Sequence, residues 1–329
     1  MKIVALEEHF VVPELLDAWK RLPQDELDEV SAGFGDDPIS RRLREVGEDR
    51  IADMDDQGVD VQVLSLNSPG VQNLPAADAV SVARYANDAL GEIVSSHPDR
   101  FQGFAAIPTP DPEAAARELE RAISTLKFRG ALLNGRTGSV NADDIRFDDL
   151  YQAAARLRAP LYLHPQTPVR PVRAAYYSGL GEQLDAGFAN YGIGWHYETG
   201  VQLLRMIFAG VFDRHPNLQV IVGHWGEAIL FYLERIAMLE HMGLHLKRPL
   251  VDYFRTNVWV TGSGLMSARY LRWSAEVIGV DRILYATDYP FIPTGGGRAR
   301  QFLESAALTD AQKTCIGSRA WDQLTAHLA

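Results

Sequence analysis

The stretch "VALEEHFVVP" (residues 4–13) begins as an apolar strand and runs directly into Glu7, Glu8 and His9. Residues two apart on a strand share a face, so Glu7 and His9 point the same way and Glu8 points the other. Three further apolar runs deliver residues of the same kind at their ends: "PLYLHP" (160–165) gives His164, "LQVIVGH" (218–224) gives His224, and "RILYATD" (282–288) gives Asp288. A lone histidine at a strand end is ordinarily a satisfied buried polar group. Five residues of metal-ligand type at four strand ends make a different pattern. Mixed carboxylate and imidazole donors suit Zn²⁺, Mn²⁺ or Fe²⁺ and not Ca²⁺. Glu8 is expected to be a supporting or structural carboxylate. Of the other six histidines, His97 and His215 precede proline where helices end, and His241, His245 and His327 lie on or after surface helices. His196, in "GWHYETG", could face the same pocket.

For such distant residues to meet, the strands must converge. Eight strand-like runs are legible, at 2–6, 59–66, 101–107, 129–135, 160–165, 218–224, 258–264 and 282–288. Helical patterns over 43–57, 78–98, 111–126 and 226–242 alternate with them, and Pro112 suits a first helical turn. Near-continuous apolar strands alternating with helices predict a parallel sheet covered on both faces. Eight such units predict an α/β fold of the (β/α)8 TIM-barrel type, as one domain over 1–329 with insertions after strands 1 and 5, at 14–42 and 166–196. An open doubly wound sheet usually opens on a glycine-rich turn, and "ALEEHF" has none.

The 329 residues include 47% hydrophobic and 23% charged side chains, with a formal net charge of −11. That balance argues against nucleic acid or an anionic membrane surface as partner. The single cysteine, Cys315, excludes an intramolecular disulfide and predicts a reducing compartment. No run is apolar for long enough to span a membrane, and no signal-peptide pattern opens the chain, so a cytoplasmic location is expected. Metallohydrolase barrels, which this pattern resembles, often bridge two ions through a lysine carbamate on the fourth strand, and that resemblance sets the expectation here. The fourth strand, "RGALLNG", has no lysine, and none of the five lysines sits at the C-terminal end of a strand. One divalent ion, Zn²⁺ or Mn²⁺, is therefore expected, and no organic cofactor.

"ALEEHF", "LSLNSPGVQ" (64–72), "YLHPQTP" (162–168), "GHWGE" (223–227) and "ATDYPF" (286–291) resemble, in order and spacing, the aromatic-acid decarboxylases of the amidohydrolase superfamily. The nearest pattern is that of the γ-resorcylate and 2,3-dihydroxybenzoate decarboxylases, with the 5-carboxyvanillate and aminocarboxymuconate-semialdehyde decarboxylases further off. The likeness covers nearly the whole chain. It implies that Glu7, His9, His164 and Asp288 are metal ligands, that His224 is catalytic, and that Glu227 is its hydrogen-bonded partner. It also implies aromatic walls at Trp195 and Phe291 and adds Asn67 to the substrate-binding set. Arg235 matches an arginine that completes a neighbouring subunit's site, implying a homodimer or homotetramer. Three features depart from the pattern: Trp225 in place of Met or Leu, Gln166 in place of arginine, and the 166–196 insertion with Arg170, Arg173, Tyr176 and Tyr177.

The expected reaction is non-oxidative loss of CO2 from an ortho-hydroxy aromatic acid. Asp288 would protonate the carboxyl-bearing carbon, while His224 and Glu227 act on the hydroxyl. The alternative is a metal-dependent hydrolase opening a lactone or amide on the same barrel. A barrel that only binds should have lost a ligand, and all four are present.

Overall fold

The computed structural model describes residues 1–23, 27 and 33–328. Strands β1 (Val4–Phe10), β2 (Val61–Leu66), β4 (Ala131–Asn134), β5 (Leu161–His164), β6 (Val220–Val222), β7 (Val258–Thr261) and β8 (Ile283–Ala286) are joined by a β3 in two segments, Phe101–Gly103 and Ala105–Ala106. The first β3 segment pairs with β2 and the second with β4. All pairings are parallel, and β8 pairs back onto β1. The two ends of the sheet thus belong to one continuous stretch, and the sheet closes as the (β/α)8 barrel that the alternating pattern predicts.

Strand side chains split between two apolar cores. Val4, Leu6, Val61, Val63, Phe104, Leu132, Tyr162, Ile221, Trp259 and Leu284 fill the barrel interior. Their neighbours, including Ala5, Leu64, Leu133, Leu163, Val222 and Ile283, pack outward under the helices. Trp321 seals the interior from below, and its indole N–H donates to Gln102 Oε1 at 2.8 Å. Burial on both faces explains why the strands read as apolar runs without alternation.

One irregularity decides the site. Val4 and Leu6 point inward, so strict alternation would turn Glu8 inward and Glu7 out. The β1–β2 register slips by one residue between Ala5 and Glu8, and Glu7 sits in the left-handed region at φ 64°. This bulge turns Glu7 inward beside His9 and leaves Glu8 facing the helical layer. Glu7 and His9 share a face as period two expects, but that this face is the inward one is set by the bulge.

Helix boundaries differ modestly from the periodicity. The 43–57 pattern is two helices, Pro38–Arg44 and Glu48–Gln57. The 226–242 pattern is broken at Ala228 and is helical over Ile229–Ala237, with a 3₁₀ stretch over Met238–Met242. Of the 14–42 insertion, Pro13–Lys20 and Pro38–Arg44 are helical, and residues 24–26 and 28–32 lie outside those described. The 166–196 insertion folds into helices Arg170–Tyr176 and Glu182–Gly187 and a π-turn over Phe188–Gly192, and it leads into helix Gly194–Phe208. Buried Arg136, just after β4, ties this region to the barrel. Its guanidinium donates to Gln166 Oε1 at 2.8 Å and to Thr167 O, and its Nε lies 3.1 Å from Glu198 Oε1. At the position where Gln166 replaces an arginine, a guanidinium therefore arrives from the neighbouring strand instead. Among the described residues, no helix is long and apolar enough to cross a membrane.

Candidate active site

Glu7, His9 and His164 converge at the C-terminal mouth of the barrel, with ligand atoms that all lie within 4.8 Å of one another. His164 Nε2 is 3.3 Å from Glu7 Oε1, and Asp288 Oδ1 is 3.6 Å from His9 Nε2. Donors about 2.1 Å from one ion sit roughly 3–4 Å apart, so these separations match a shared cation. The orientation of each group points the same way. Glu7 Oε2 accepts hydrogen bonds from the hydroxyls of Tyr162 and Ser263. His9 Nδ1 lies 3.3 Å from Ser65 Oγ, and His164 Nδ1 lies 2.8 Å from Pro165 O. The remaining atoms, Glu7 Oε1 and His9 Nε2, are buried and meet hydrogen-bond geometry with no neighbour. Buried polar atoms without partners are costly, and two aimed at one point fit a metal ion.

The backbone is shaped around this point. Glu7, His224, Ser263 and Asp288 all have φ between 44° and 64°, a concentration of strained conformations that folds retain at functional sites. Gly223 precedes His224, and a Cβ there would lie 2.7 Å from Ser263 Oγ and 3.1 Å from Glu7 Oε2. Only glycine leaves room for that carboxylate.

The electrostatics follow from burial and charge. Burial alone would raise the Glu7 carboxyl, but the imidazoles of His224, His164 and His9 outweigh it and hold the group well below the usual carboxylate range. Burial, with the Glu7 charge nearby, pushes Asp288 well above that range. Burial also lowers His9, reinforced by His164. A divalent cation would favour the neutral imidazoles and the ionised Glu7 that ligation needs, while burial makes Asp288 the carboxyl that more readily takes up a proton. His224 behaves oppositely. Burial would lower it, but the carboxylates of Glu227 and Glu7 prevail and it is pushed up to about 10. Its Nδ1 donates to Glu227 Oε1 at 2.8 Å, and its Nε2 lies 4.0 Å from Glu7 Oε1.

The other expected residues divide. Phe291, partly exposed, holds its ring 5.8 Å from that of His9. Asn67 is buried at the end of β2, its amide donating to Ser68 O at 2.9 Å. Trp195 is half-buried, and its indole N–H lies 3.1 Å from His196 Nε2. Arg235 is not brought to the site within one chain; it lies exposed on helix Ile229–Ala237, 3.5 Å from Met238 Sδ. Trp225 is buried, and its indole N–H donates to Leu265 O at 2.8 Å.

Three residues were underweighted by sequence reasoning. Tyr162 stands two positions before His164 and shares its inward face, a signal that was available. Ser263 lies in "TGSG", where nothing marks it. His196 joins the site across the fold, its Nδ1 2.8 Å from Glu227 Oε2.

Comparison with known proteins agrees with this geometry. The chain matches the amidohydrolase family over residues 9–319 and belongs to it. It is 36% identical to a γ-resorcylate decarboxylase of Rhodococcus jostii over 336 aligned positions, covering 95% of each chain. The structure of 5-carboxyvanillate decarboxylase from Sphingomonas paucimobilis superposes with a TM-score of 0.91 at 32% identity, covering 99% of each chain. A dihydroxybenzoic acid decarboxylase from Polaromonas, with bound manganese and 2-nitroresorcinol, superposes at 0.85 with 33% identity, covering 99% of this chain and 97% of that one.

Proposed function

We propose that this protein is a metal-dependent, non-oxidative decarboxylase of ortho-hydroxy aromatic acids. The observation that carries the reading is the convergence of Glu7, His9, His164 and Asp288 on a point served by unpartnered buried atoms, on a fold whose similar relatives are decarboxylases. Those four side chains would hold the ion. When bound, it supplies charge neutralisation and chelation for an adjacent phenolate and carboxylate.

The chain's own groups do the rest. Asp288 delivers a proton to the carboxyl-bearing carbon, and the ring transiently loses aromaticity. The bond to the carboxyl group then breaks, CO2 leaves, and its electron pair restores the ring. Asp288 recovers its proton from water. His224, held charged by Glu227, hydrogen-bonds the developing oxyanion. Phe291 and Trp195 form aromatic walls, and Asn67 contributes a polar edge. The lactone or amide hydrolase is the less supported reading, because none of the relatives described above is a hydrolase.

A second copy of the chain belongs to this reading. Phe231, Tyr232, Met238 and Met242 are exposed on the segment that carries Arg235, an apolar patch of the kind that marks an interface. We infer a homodimer or homotetramer in which Arg235 reaches the partner's substrate. The single cysteine supports a reducing, cytoplasmic location.

Purified protein incubated with γ-resorcylate and related hydroxybenzoates should release CO2, and in D2O should place one deuterium at the former carboxyl carbon. Solvent ¹⁸O entering a product without CO2 release would transfer the assignment to the hydrolase.

A further inference from the structure

Glu227 is held from two sides, and the second side has no role in the reaction described so far. Its Oε1 accepts from His224 Nδ1 and its Oε2 from His196 Nδ1, both at 2.8 Å. The two imidazole rings stand 4.3 Å apart. On its far side, His196 Nε2 lies 3.1 Å from the Trp195 indole nitrogen and 3.2 Å from Tyr191 O. The imidazole is thus fixed at both nitrogens.

The backbone makes the same contact independently. Gly200 lies one helical turn after His196 and on the same face. A Cβ at Gly200 would sit 2.8 Å from Glu227 O and 2.9 Å from the Ile229 side chain. The helix Gly194–Phe208 therefore meets residue 227 twice, through a side chain at 196 and a bare backbone at 200. The loop it meets needs support. Trp225, Gly226, Glu227 and Ala228 all have φ between 52° and 86°, a run that persists only when its surroundings over-determine it. The helix is in turn anchored by Glu198, 3.1 Å from Arg136 Nε.

We propose that His196 is a positioning residue for the reaction. It fixes the Glu227 carboxylate, so that His224 is held in one orientation toward the metal-side groups. The inference rests on the proposed function only for its activity readout.

The test compares His196→Ala, His196→Asn and Gly200→Ala with the wild type. The asparagine amide nitrogen can occupy the place of Nδ1 and keep the bond to Glu227. In His196→Ala, kcat should fall about 10–100-fold with KM changed less than about threefold, as when a partner that orients a reacting group is removed. Metal content per chain should stay at the wild-type level. His196→Asn should recover most of the loss, and Gly200→Ala should fall in between. In ¹⁵N-histidine-labelled protein, the His224 Nδ1–H resonance should shift in the alanine variant and return in the asparagine variant. That readout needs no substrate, so a wild type that releases no CO2 would refute the decarboxylase while leaving the positioning testable. An active wild type whose alanine variant keeps kcat and an unmoved His224 signal would overturn the proposal. Equal loss of activity and metal in the alanine and asparagine variants would do so as well.

Discussion

The two oxygens of Glu7 have different tasks. Oε2 is tied down by Tyr162 and Ser263, while Oε1 faces His164 without a hydrogen bond of its own. Substituting glutamine would put an amide where an anionic donor is needed. Metal analysis of Glu7→Gln should therefore show occupancy falling well below one ion per chain, with the fold retained by circular dichroism. Asp288 faces His9 and, in the proposed reaction, is the group that delivers the proton. Asp288→Asn should lower kcat by about 10²–10⁴-fold, the range expected for loss of a general acid. A variant within tenfold of wild type would assign the proton to another group.

The bulge in β1 is held by the residue that does not enter the site. Glu8 accepts from Thr287 N at 2.8 Å, from Thr287 Oγ1 at 2.6 Å and from Gln62 at 3.2 Å, tying β1 to both neighbouring strands. Buried Arg50 spans the same joint, donating to Gln62 Oε1 and His9 O at 2.7 Å each. Removing the carboxylate strands three buried donors, so Glu8→Ala should cost about 2–4 kcal/mol in urea unfolding. Metal affinity should weaken along with it, because Glu7 would be free to turn outward. A fully stable variant with unchanged metal affinity would show that the bulge holds itself. The strands opposite do related work through Tyr162 on β5 and Ser263 just after β7. The double variant Tyr162→Phe, Ser263→Ala should bind metal about 10–100-fold more weakly, read by competition with a chelator.

A cation held at the barrel mouth as proposed would join β1, β5 and β8, so it should stabilise the whole molecule. At a free concentration near 100 times its dissociation constant, linkage supplies about 2.7 kcal/mol. Dialysis against a chelator should lower Tm by about 4 °C, and Mn²⁺ should restore it. An unchanged Tm would mean that the ion does not bind the folded chain at this site. Light scattering should give the mass of a dimer or tetramer, and charging the exposed patch with Phe231→Asp and Met242→Asp should shift it toward the monomer. If Arg235 serves a neighbour, that dissociation should also reduce activity.

Read alone, the residues already imply the barrel and the side chains gathered at its mouth. Eight apolar runs separated by helical patterns can close in few ways, and the mouth of a closed barrel gathers whatever stands at the strand ends. Glu7, His9, His164, His224 and Asp288 were legible for that reason. Their aim depends on packing between segments far apart in the chain. Glu7 turns inward through a one-residue slip against β2, which depends on a neighbouring strand that no local pattern reports. His196 reaches Glu227 because a helix following an insertion packs glycine-close against a strained loop, and contacts between segments 31 residues apart have no periodicity to betray them. Arg235 shows the limit in the other direction: the single chain leaves it exposed on helix Ile229–Ala237, away from the barrel mouth.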